Sequence, residues 1–515
     1  MSTTHTPSTA QPDVYDLVVI GGGINGVGIA ADAAGRGLSV FLCEKDDLAS
    51  HTSSASSKLI HGGLRYLEHY EFRLVHEALA EREVLLSKAP HIVKPMRFIL
   101  PHRPHLRPAW MIRCGLFLYD NLGKRKQLGA SSGLKFASDH PLQSHISRGF
   151  EYADCTVDDA RLVVLNAIAA REHGAQIHTR TRCTHAQRLD GVWQVELQHA
   201  DGTTRSIRAR ALVNAAGPWV SSFIRDDLKQ KSPYGIRLIQ GSHIIVPRLH
   251  DLPQSFILQN EDNRIVFVIP YHDQFTLIGT TDKEYNGDPA KVSISDDEIG
   301  YLLNVVNSHF KRQILRSDIV SSYSGVRPLC DDESDNPSAV TRDYTLALSE
   351  KSEGAPLLSV FGGKLTTYRK LAEAAMHQLA EFFPKMGPAW TKTAPLPGAE
   401  KVTDLRELAG EIASSYNWLP GSVIKRWVNT YGSRTWAMLE GVRTLNDLGE
   451  HLGSGLYTRE VDYLREHEWA LTAEDILWRR SKLGLYLSQE QQDRLAQYLN
   501  EVTNIQPSQE QAIAH

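Results

Sequence analysis

Gly21, Gly23 and Gly26 stand in the G-x-G-x-x-G spacing at the end of the apolar run Tyr15 to Ile20, and Glu44 follows eighteen positions after the last. The first glycine permits a tight turn, the second lets the backbone approach a pyrophosphate, and the third lets helix pack on strand. A helix opening there presents unpaired N–H groups and a positive dipole end to phosphates. Glu44 suits the hydroxyls of an adenosine ribose. Strand, turn, helix, strand and acid fall in register, which predicts dinucleotide binding without separating a nicotinamide from a flavin. The next residues favour a flavin. The acid leads not into another βα unit but into a Ser/Thr-rich loop, Ser50 to Ser57, whose hydroxyls and amides suit phosphates. His61-Gly62-Gly63 then leaves the backbone bare enough for a flat ring to approach.

A second glycine pair heads Gly362-Gly363-Lys364-Leu365-Thr366, after the apolar strand Leu357 to Phe361 and before a helix running to about Phe382. Its amides and Lys364 would place positive potential beside a ring that becomes anionic on reduction.

Helices are predicted over Arg73 to Lys88, Asp158 to His173 and Asp296 to Phe310, from apolar spacing and end signals. Strands are predicted over Val192 to His199 and Thr204 to Asn214, flanking Asp201-Gly202, and near Gly241 to Pro247, Arg264 to Pro270 and Phe275 to Thr280. Beyond Pro395 the pattern is helical, with five tryptophans along it. The expected fold is α/β: a Rossmann-like FAD-binding domain, an inserted β-sheet substrate cap (α+β) and a C-terminal all-helical domain. The flavin-binding part spans 14–390, with FAD-binding pieces near 14–90, 150–235 and 345–390 and cap pieces near 91–149 and 236–344. The helical domain spans 391–504, and 1–13 and 505–515 are tails.

With 515 residues, two or three domains are expected, and a net charge of −4 gives no reason to invoke nucleic acid. Five cysteines without a C-x-x-C pair argue against a disulfide scaffold and suit a reducing cytoplasm. Residues 1–13 are polar, which predicts no secretory leader. The longest stretch without a charge, Leu17 to Ala31, is fifteen residues, too short to cross a bilayer.

These residues resemble the aerobic, FAD-dependent sn-glycerol-3-phosphate dehydrogenase family, within the D-amino-acid-oxidase-like flavoproteins. The resemblance runs from about 15 to 490 and is carried by S-S-A-S-S-K-L-I-H-G-G-L-R-Y-L-E (53–68), V-N-A-A-G-P-W (213–219), G-V-R-P-L (325–329), T-R-D-Y (341–344), F-G-G-K-L-T-T-Y-R (361–369) and D-I-L-W-R-R-S-K-L-G (475–484). It implies bound FAD, glycerol 3-phosphate as electron donor and a membrane quinone as acceptor. The residues it implies for FAD are Gly21, Gly23, Ile24, Asn25, Gly26, Glu44 and Lys45; Ser53, Ser54, Ser56, Ser57, Leu59, Ile60, His61, Gly62, Gly63 and Leu64; Cys183, Ala216 and Gly217; and Gly362, Gly363, Lys364, Leu365 and Thr366. Relatives with covalent flavin use a cysteine or histidine near the last glycine pair; Phe361 to Thr367 offers neither, so non-covalent FAD is expected. Asp331 to Asn336 lacks the glycine and terminal glutamate of a calcium loop, so no metal is expected.

The implied reaction needs a base, cations around a phosphate dianion and positive potential near the flavin. The resemblance places Arg65, Arg327 and Arg342 in the substrate pocket with Tyr66 and Lys364. Arg65 and Arg342 suit the phosphate, because a planar guanidinium grips an oxyanion with two hydrogen bonds. Arg327 falls nearer the alcohol. The base is left open between His61 and His243, with Arg327 as an alternative that stabilises an alkoxide.

Residues 94–128 carry eight Lys or Arg, one acid, and Trp110, Met111, Ile112, Leu116, Phe117, Leu118 and Tyr119. That mixture suits a peripheral contact with the inner face of the cytoplasmic membrane; the alternative is a cap segment with apolar residues inside. Other open readings are an oxidase using oxygen, an amino-acid oxidase of the same fold, and a non-catalytic flavin-binding subunit. The C-terminal domain leaves a homodimer possible.

Overall fold

The computed structural model describes residues 14–103, 105–262, 264–331 and 343–505. The N-terminal tail, residues 506–515, the acidic stretch after Asp331 and Arg342 lie outside them. Two compact units emerge: Met1–Lys88 with Val93–Ala394, and Ala89–Ile92 with Pro395–His515.

In the first unit, β1 (Tyr15–Ile20) is buried on both faces, with Leu17, Val18 and Val19 fully enclosed. An unbroken apolar run is what a parallel strand covered by helices requires. Its neighbours are β2 (Val40–Cys43), with Val19 opposite Leu42, and Thr204–Asn214, with Val19 opposite Val213, both parallel. Leu357–Gly362 lies parallel beyond Thr204–Asn214, and Tyr344–Leu348 forms an antiparallel edge. Among the described residues the sheet has eight strands, including the antiparallel pair Thr181–Leu189 and Val192–His199. The parallel strands therefore all end at one sheet edge, where open α/β folds bind ligands.

α1 (Ile24–Gly35) leaves that edge. A Cβ at Gly26 would lie 1.9 Å from the Gly21 carbonyl oxygen, and one at Gly28 would lie 2.8 Å from the Tyr368 ring. Small residues are thus a packing requirement along this helix, which lies against Asp159–Glu172 and Tyr368–Leu379. Asp158 caps the first of these, accepting from the Arg161 amide, and Gly174 ends it at φ +92.

A ten-stranded sheet among the described residues forms the cap. Its long strand Ile236–Pro247 runs antiparallel to Ser321–Cys330, placing Ile239 opposite Arg327 and His243 opposite Tyr323. Strands at Val93–Pro101, Arg148–Val157 and Ser255–Gln259 belong to the same sheet and have no counterpart in the sequence pattern. The basic segment 94–128 is therefore two things. Its first part is a sheet strand, and α2 (Ala109–Asn121) with the exposed Lys124 and Lys126 after it presents a surface.

The second unit has helices at Leu405–Ser415, Gly421–Tyr431, Thr458–Glu468 and Gln489–Ile505, and a short hairpin at His451–Gly453 and Leu456–Tyr457. Trp427 is fully enclosed, and Trp418, Trp436 and Trp478 pack against the same core. Glu460 is buried there and accepts from Arg426, from Trp427 Nε1 at 2.8 Å and from the Tyr431 hydroxyl at 2.6 Å. Trp418, Trp427, Trp436 and Trp478 thus help build this unit's core.

Candidate active site

The carboxyl edge of the first sheet opens onto two adjoining cavities, of about 460 and 310 Å³, which share Gly23, Ser53 and Gly217. Of these, Gly23 sits at the start of α1, as its N-terminal cap without a side-chain partner. One backbone donor of that turn, Ile24 N–H, gives its hydrogen to Ser53 Oγ at 3.0 Å.

The larger cavity runs past Glu44, Lys45, Cys183 and Ala216. Glu44 is buried and its oxygens each hold the turn: Oε2 accepts from Gly22 N–H at 2.7 Å and Oε1 from Asp46 N–H at 2.9 Å. Burial pushes its carboxyl above the usual range, against those two amides. Lys45 bonds Asp46 at 2.5 Å and lies 4.5 Å over the Trp219 ring, forming a polar and aromatic rim. Burial pushes the Cys183 thiol up to about 12, which leaves it an unreactive wall residue.

The smaller cavity lies between the glycine turns and the cap. His61, Gly63, Leu64, Arg65 and Tyr66 line it on one loop, Gly362 to Thr366 on another, and His243, Asp282 and Arg327 from the cap. Gly63 is at φ +75 and a Cβ there would fall 2.1 Å from the Tyr66 ring, so glycine is doubly required. Gly362 and Gly363, at φ +75 and +101, turn the chain into the helix start, and Asn25 Nδ2 donates to the Gly362 carbonyl at 3.1 Å. Lys364 Nζ stands 3.9 Å over the Tyr66 ring, an attraction between ammonium and π face. Arg65 lines the cavity with no hydrogen-bond or ion-pair partner among the described residues. Arg327, in contrast, is ion-paired with Asp282.

His243 accepts from, or donates to, the Ser57 hydroxyl at 2.9 Å and stacks on Tyr323 at 4.8 Å. Burial, and then the charges of Lys58 and Arg327, hold it down at about 3, so it is a neutral imidazole.

The descriptions of known proteins fit this geometry. Residues 16–369 match the FAD dependent oxidoreductase family, and 389–509 match the C-terminal domain of alpha-glycerophosphate oxidase. A glycerol-3-phosphate dehydrogenase of Pseudomonas aeruginosa is 70% identical, covering 97% of this chain and 98% of its own. The chain belongs to the FAD-dependent glycerol-3-phosphate dehydrogenase family. A D-erythritol 1-phosphate dehydrogenase of Brucella abortus is 52% identical, covering 93% of this chain and 96% of its own. The solved glycerol-3-phosphate dehydrogenase of Bacillus halodurans, complexed with FAD, superposes with a TM-score of 0.73 at 26% identity, covering 95% of this chain and 94% of that one.

FAD is the cofactor of this family, and the residues present fit it. An elongated dinucleotide needs two chambers joined at its phosphates, and the two cavities meet at a helix N-terminus. The Asn25 Oδ1 beside the second glycine pair is buried with no hydrogen-bond partner among the described residues, an acceptor those residues leave open for a ligand donor.

Most residues expected at the cofactor line one cavity or the other; four do not. Gly26 is a packing contact with Gly21, as above. Ile60 is enclosed and pairs with Cys155 in the cap sheet. Gly62 is wedged against Leu79, and its N–H donates to the Tyr119 hydroxyl at 2.8 Å. The Ser54 hydroxyl turns back to the His51 carbonyl at 3.3 Å. Ser56, although at the wall, donates to the buried Asp159 at 2.7 Å. The Ser/Thr loop is thus laced into the fold more than it is offered to phosphates. Asp282 was absent from the sequence-derived set; its only signal is an acid ending G-T-T-D after an apolar strand.

Proposed function

We propose that this chain oxidises sn-glycerol 3-phosphate to dihydroxyacetone phosphate and hands the electrons to a membrane quinone. The observation that carries the reading is one cavity, in a member of this family, where Arg65, without a partner among the described residues, converges with Lys364, Tyr66, His61 and Arg327. Gly21, Gly23, Asn25, Glu44, Ser53, Gly63 and Gly363 would hold FAD non-covalently, and the bound flavin would accept the carbon-bound hydrogen as hydride. Arg65 grips the phosphate, with Lys364 adding charge. His61 takes the hydroxyl proton in this reading, with His243 hydrogen-bonded to the Ser57 hydroxyl. Arg327 faces the alcohol end. Arg342, outside the described residues, completes the phosphate grip in this reading. Anaerobic bleaching of the flavin by glycerol 3-phosphate, with erythritol 1-phosphate as comparison, tests it; no bleaching by the former sinks it. The match to an oxidase C-terminal domain keeps oxygen as a rival acceptor, which oxygen uptake without quinone would reveal.

Membrane association is part of the same reading. Among the described residues no helix is long and apolar enough to cross a membrane. On α2, Ile112, Leu116 and Tyr119 face inward, while Trp110 and Phe117, 67% and 62% exposed, share the outer face with Met111 and Leu118. Tyr70, 80% exposed, adds to the apolar surface, and Lys124, Arg125 and Lys126 follow the helix. Such a face seats in a headgroup layer beside anionic lipid. Flotation on anionic liposomes should drop at least fivefold on Trp110→Ser/Phe117→Ser and with Arg125 and Lys126 neutralised; unchanged flotation overturns it.

A further inference from the structure

Gly62 stands between His61 and Gly63, which both line the substrate cavity, but its N–H is engaged behind the wall, donating to the Tyr119 hydroxyl at 2.8 Å. Tyr119 belongs to the inner face of α2, near the C-terminal end of that helix. Its hydroxyl donates in turn to Asp154, at 2.7 and 2.8 Å from the two carboxylate oxygens. Asp154 lies on the strand Arg148–Val157, which pairs with Leu59–Ile60 just ahead of the loop. From the helix Phe72–Lys88, Arg82 donates to Asp154 Oδ1 at 2.6 Å and to the Ala153 carbonyl at 2.9 Å. Tyr119, Asp154 and Arg82 are all buried. Three distant stretches of chain therefore meet behind one glycine.

The bonds of this chain run in one direction. A tyrosine hydroxyl has a single hydrogen, and here it faces a carboxylate, which accepts and donates nothing. Burial, and then the Asp154 charge, push Tyr119 well above its ordinary range, so the hydroxyl keeps that hydrogen at neutral pH. The oxygen is left to accept, and Gly62 supplies the donor. Arg82 holds the carboxylate that sets the direction, and consecutive bonds of this kind polarise one another. On its other flank Gly62 meets Leu79: a Cβ there would lie 2.4 Å from the Leu79 side chain and 2.7 Å from the Tyr119 hydroxyl. The peptide joining His61 to Gly62 is thus fixed both by packing and by a directed hydrogen bond. Packing alone would need only the Tyr119 ring.

A backbone strip held this way matters where reacting atoms must meet. A misplacement of about 1 Å can cost roughly a hundredfold in rate. We infer that Tyr119 is a positioning residue for flavin reduction: through the Gly62 N–H, and kept in one orientation by Asp154 and Arg82, it sets His61 and the Gly63 backbone against the reacting centre. The inference rests on the flavin-dependent oxidation proposed above and deepens it.

Bleaching of the wild type by glycerol 3-phosphate is measured first, so that failure of the reaction assignment appears by itself. In the wild type the Gly62 amide should exchange its hydrogen at least about a hundredfold more slowly than an unstructured peptide, and fast exchange overturns the inference. Tyr119→Phe keeps the ring and removes the hydroxyl. In the FAD-bound variant, anaerobic flavin reduction at saturating glycerol 3-phosphate should slow at least about tenfold per bound flavin. The dissociation constant for glycerol 3-phosphate should stay within about threefold, because Arg65 and Lys364 are left in place. Exchange at Gly62, read without substrate, should quicken at least about tenfold. A purely structural role lowers melting temperature and FAD content but leaves the rate per bound flavin within about twofold, and that result overturns the inference. A slower rate matched by an equal rise in the dissociation constant overturns it too. Should Tyr119→Phe fail to hold FAD, Asp154→Asn decides. The amide can turn its oxygen to Arg82 and its NH2 to Tyr119, so the shape is kept and the direction of the bonds is lost. The same fall of about tenfold is expected, and a rate within about twofold of the wild type overturns the inference.

Discussion

Arg65→Ala separates a ligand-facing arginine from the structural ones more cleanly than any other substitution in the cavity. Arg369 is buried in ion pairs and Arg327 is matched to Asp282, so replacing either breaks the fold's own bonds. Arg65 has no such partner among the described residues and is half-buried in the cavity wall. Its removal should therefore change the unfolding free energy by less than about 0.5 kcal/mol, the range of a surface position. Its bonds appear only when phosphate arrives. Two charge-assisted hydrogen bonds of about 1.5 to 3 kcal/mol each, taken at the low end for a half-exposed group, amount to about 3 kcal/mol. At about 1.4 kcal/mol per tenfold, the dissociation constant for glycerol 3-phosphate should rise roughly 150-fold. The phosphate is held equally in ground and transition states, so the loss should fall on KM with kcat changed less than about threefold. Anaerobic flavin titration and steady-state rates with a soluble acceptor read these values, and thermal unfolding reads the stability. A KM within about threefold of the wild type would refute the phosphate role. A loss of more than about 1 kcal/mol of stability would show that Arg65 belongs to the scaffold.

Three further outcomes follow from packing and charge. Gly62→Ala should cost about 1–3 kcal/mol of stability and lower flavin content, because its Cβ would lie 2.4 Å from Leu79 and 2.7 Å from the Tyr119 hydroxyl; an unchanged melting temperature contradicts this. Glu81→Ala should cost about 3 kcal/mol by leaving the Arg369 guanidinium, 2% exposed, with only Glu373 to balance it; denaturant unfolding checks it. Burial holds His309 down at about 4, so it stays neutral in the fold while the unfolded chain takes up a proton near pH 6.5. Its stability contribution is present above about pH 6.5 and is lost as pH falls toward 4. His309→Gln should therefore flatten the stability slope there by up to about 1.4 kcal/mol per pH unit, and an unchanged slope rejects the assignment.

Local chemistry was legible wherever one element carries it. The glycine turn, the helix capped by Asp158 and ended at Gly174, and the strands around Asp201-Gly202 all depend on residues a few positions apart. The cap was only half visible. Val93–Pro101 carries Lys94 and Arg97, and such a strand shows no alternation because its partners, Arg148–Val157 and Ser255–Gln259, lie far along the chain. The serines of the flavin loop looked alike in sequence, yet Ser53, Ser54, Ser56 and Ser57 each bond a different neighbour.

By itself the sequence determined the cradle: Gly21 to Glu44 and Gly362 to Thr366 specify turns and helix starts through backbone conformations that glycine alone accommodates. Only the tertiary structure decided what the side chains of the pocket can do. A histidine on an apolar strand is charged or neutral according to its burial and the cations around it, and His243 is held neutral. An arginine is a free anion site or half of an ion pair according to what a distant strand brings beside it, which separates Arg65 from Arg327. Charge and solvation are properties of neighbours in space, and spacing along the chain does not carry them.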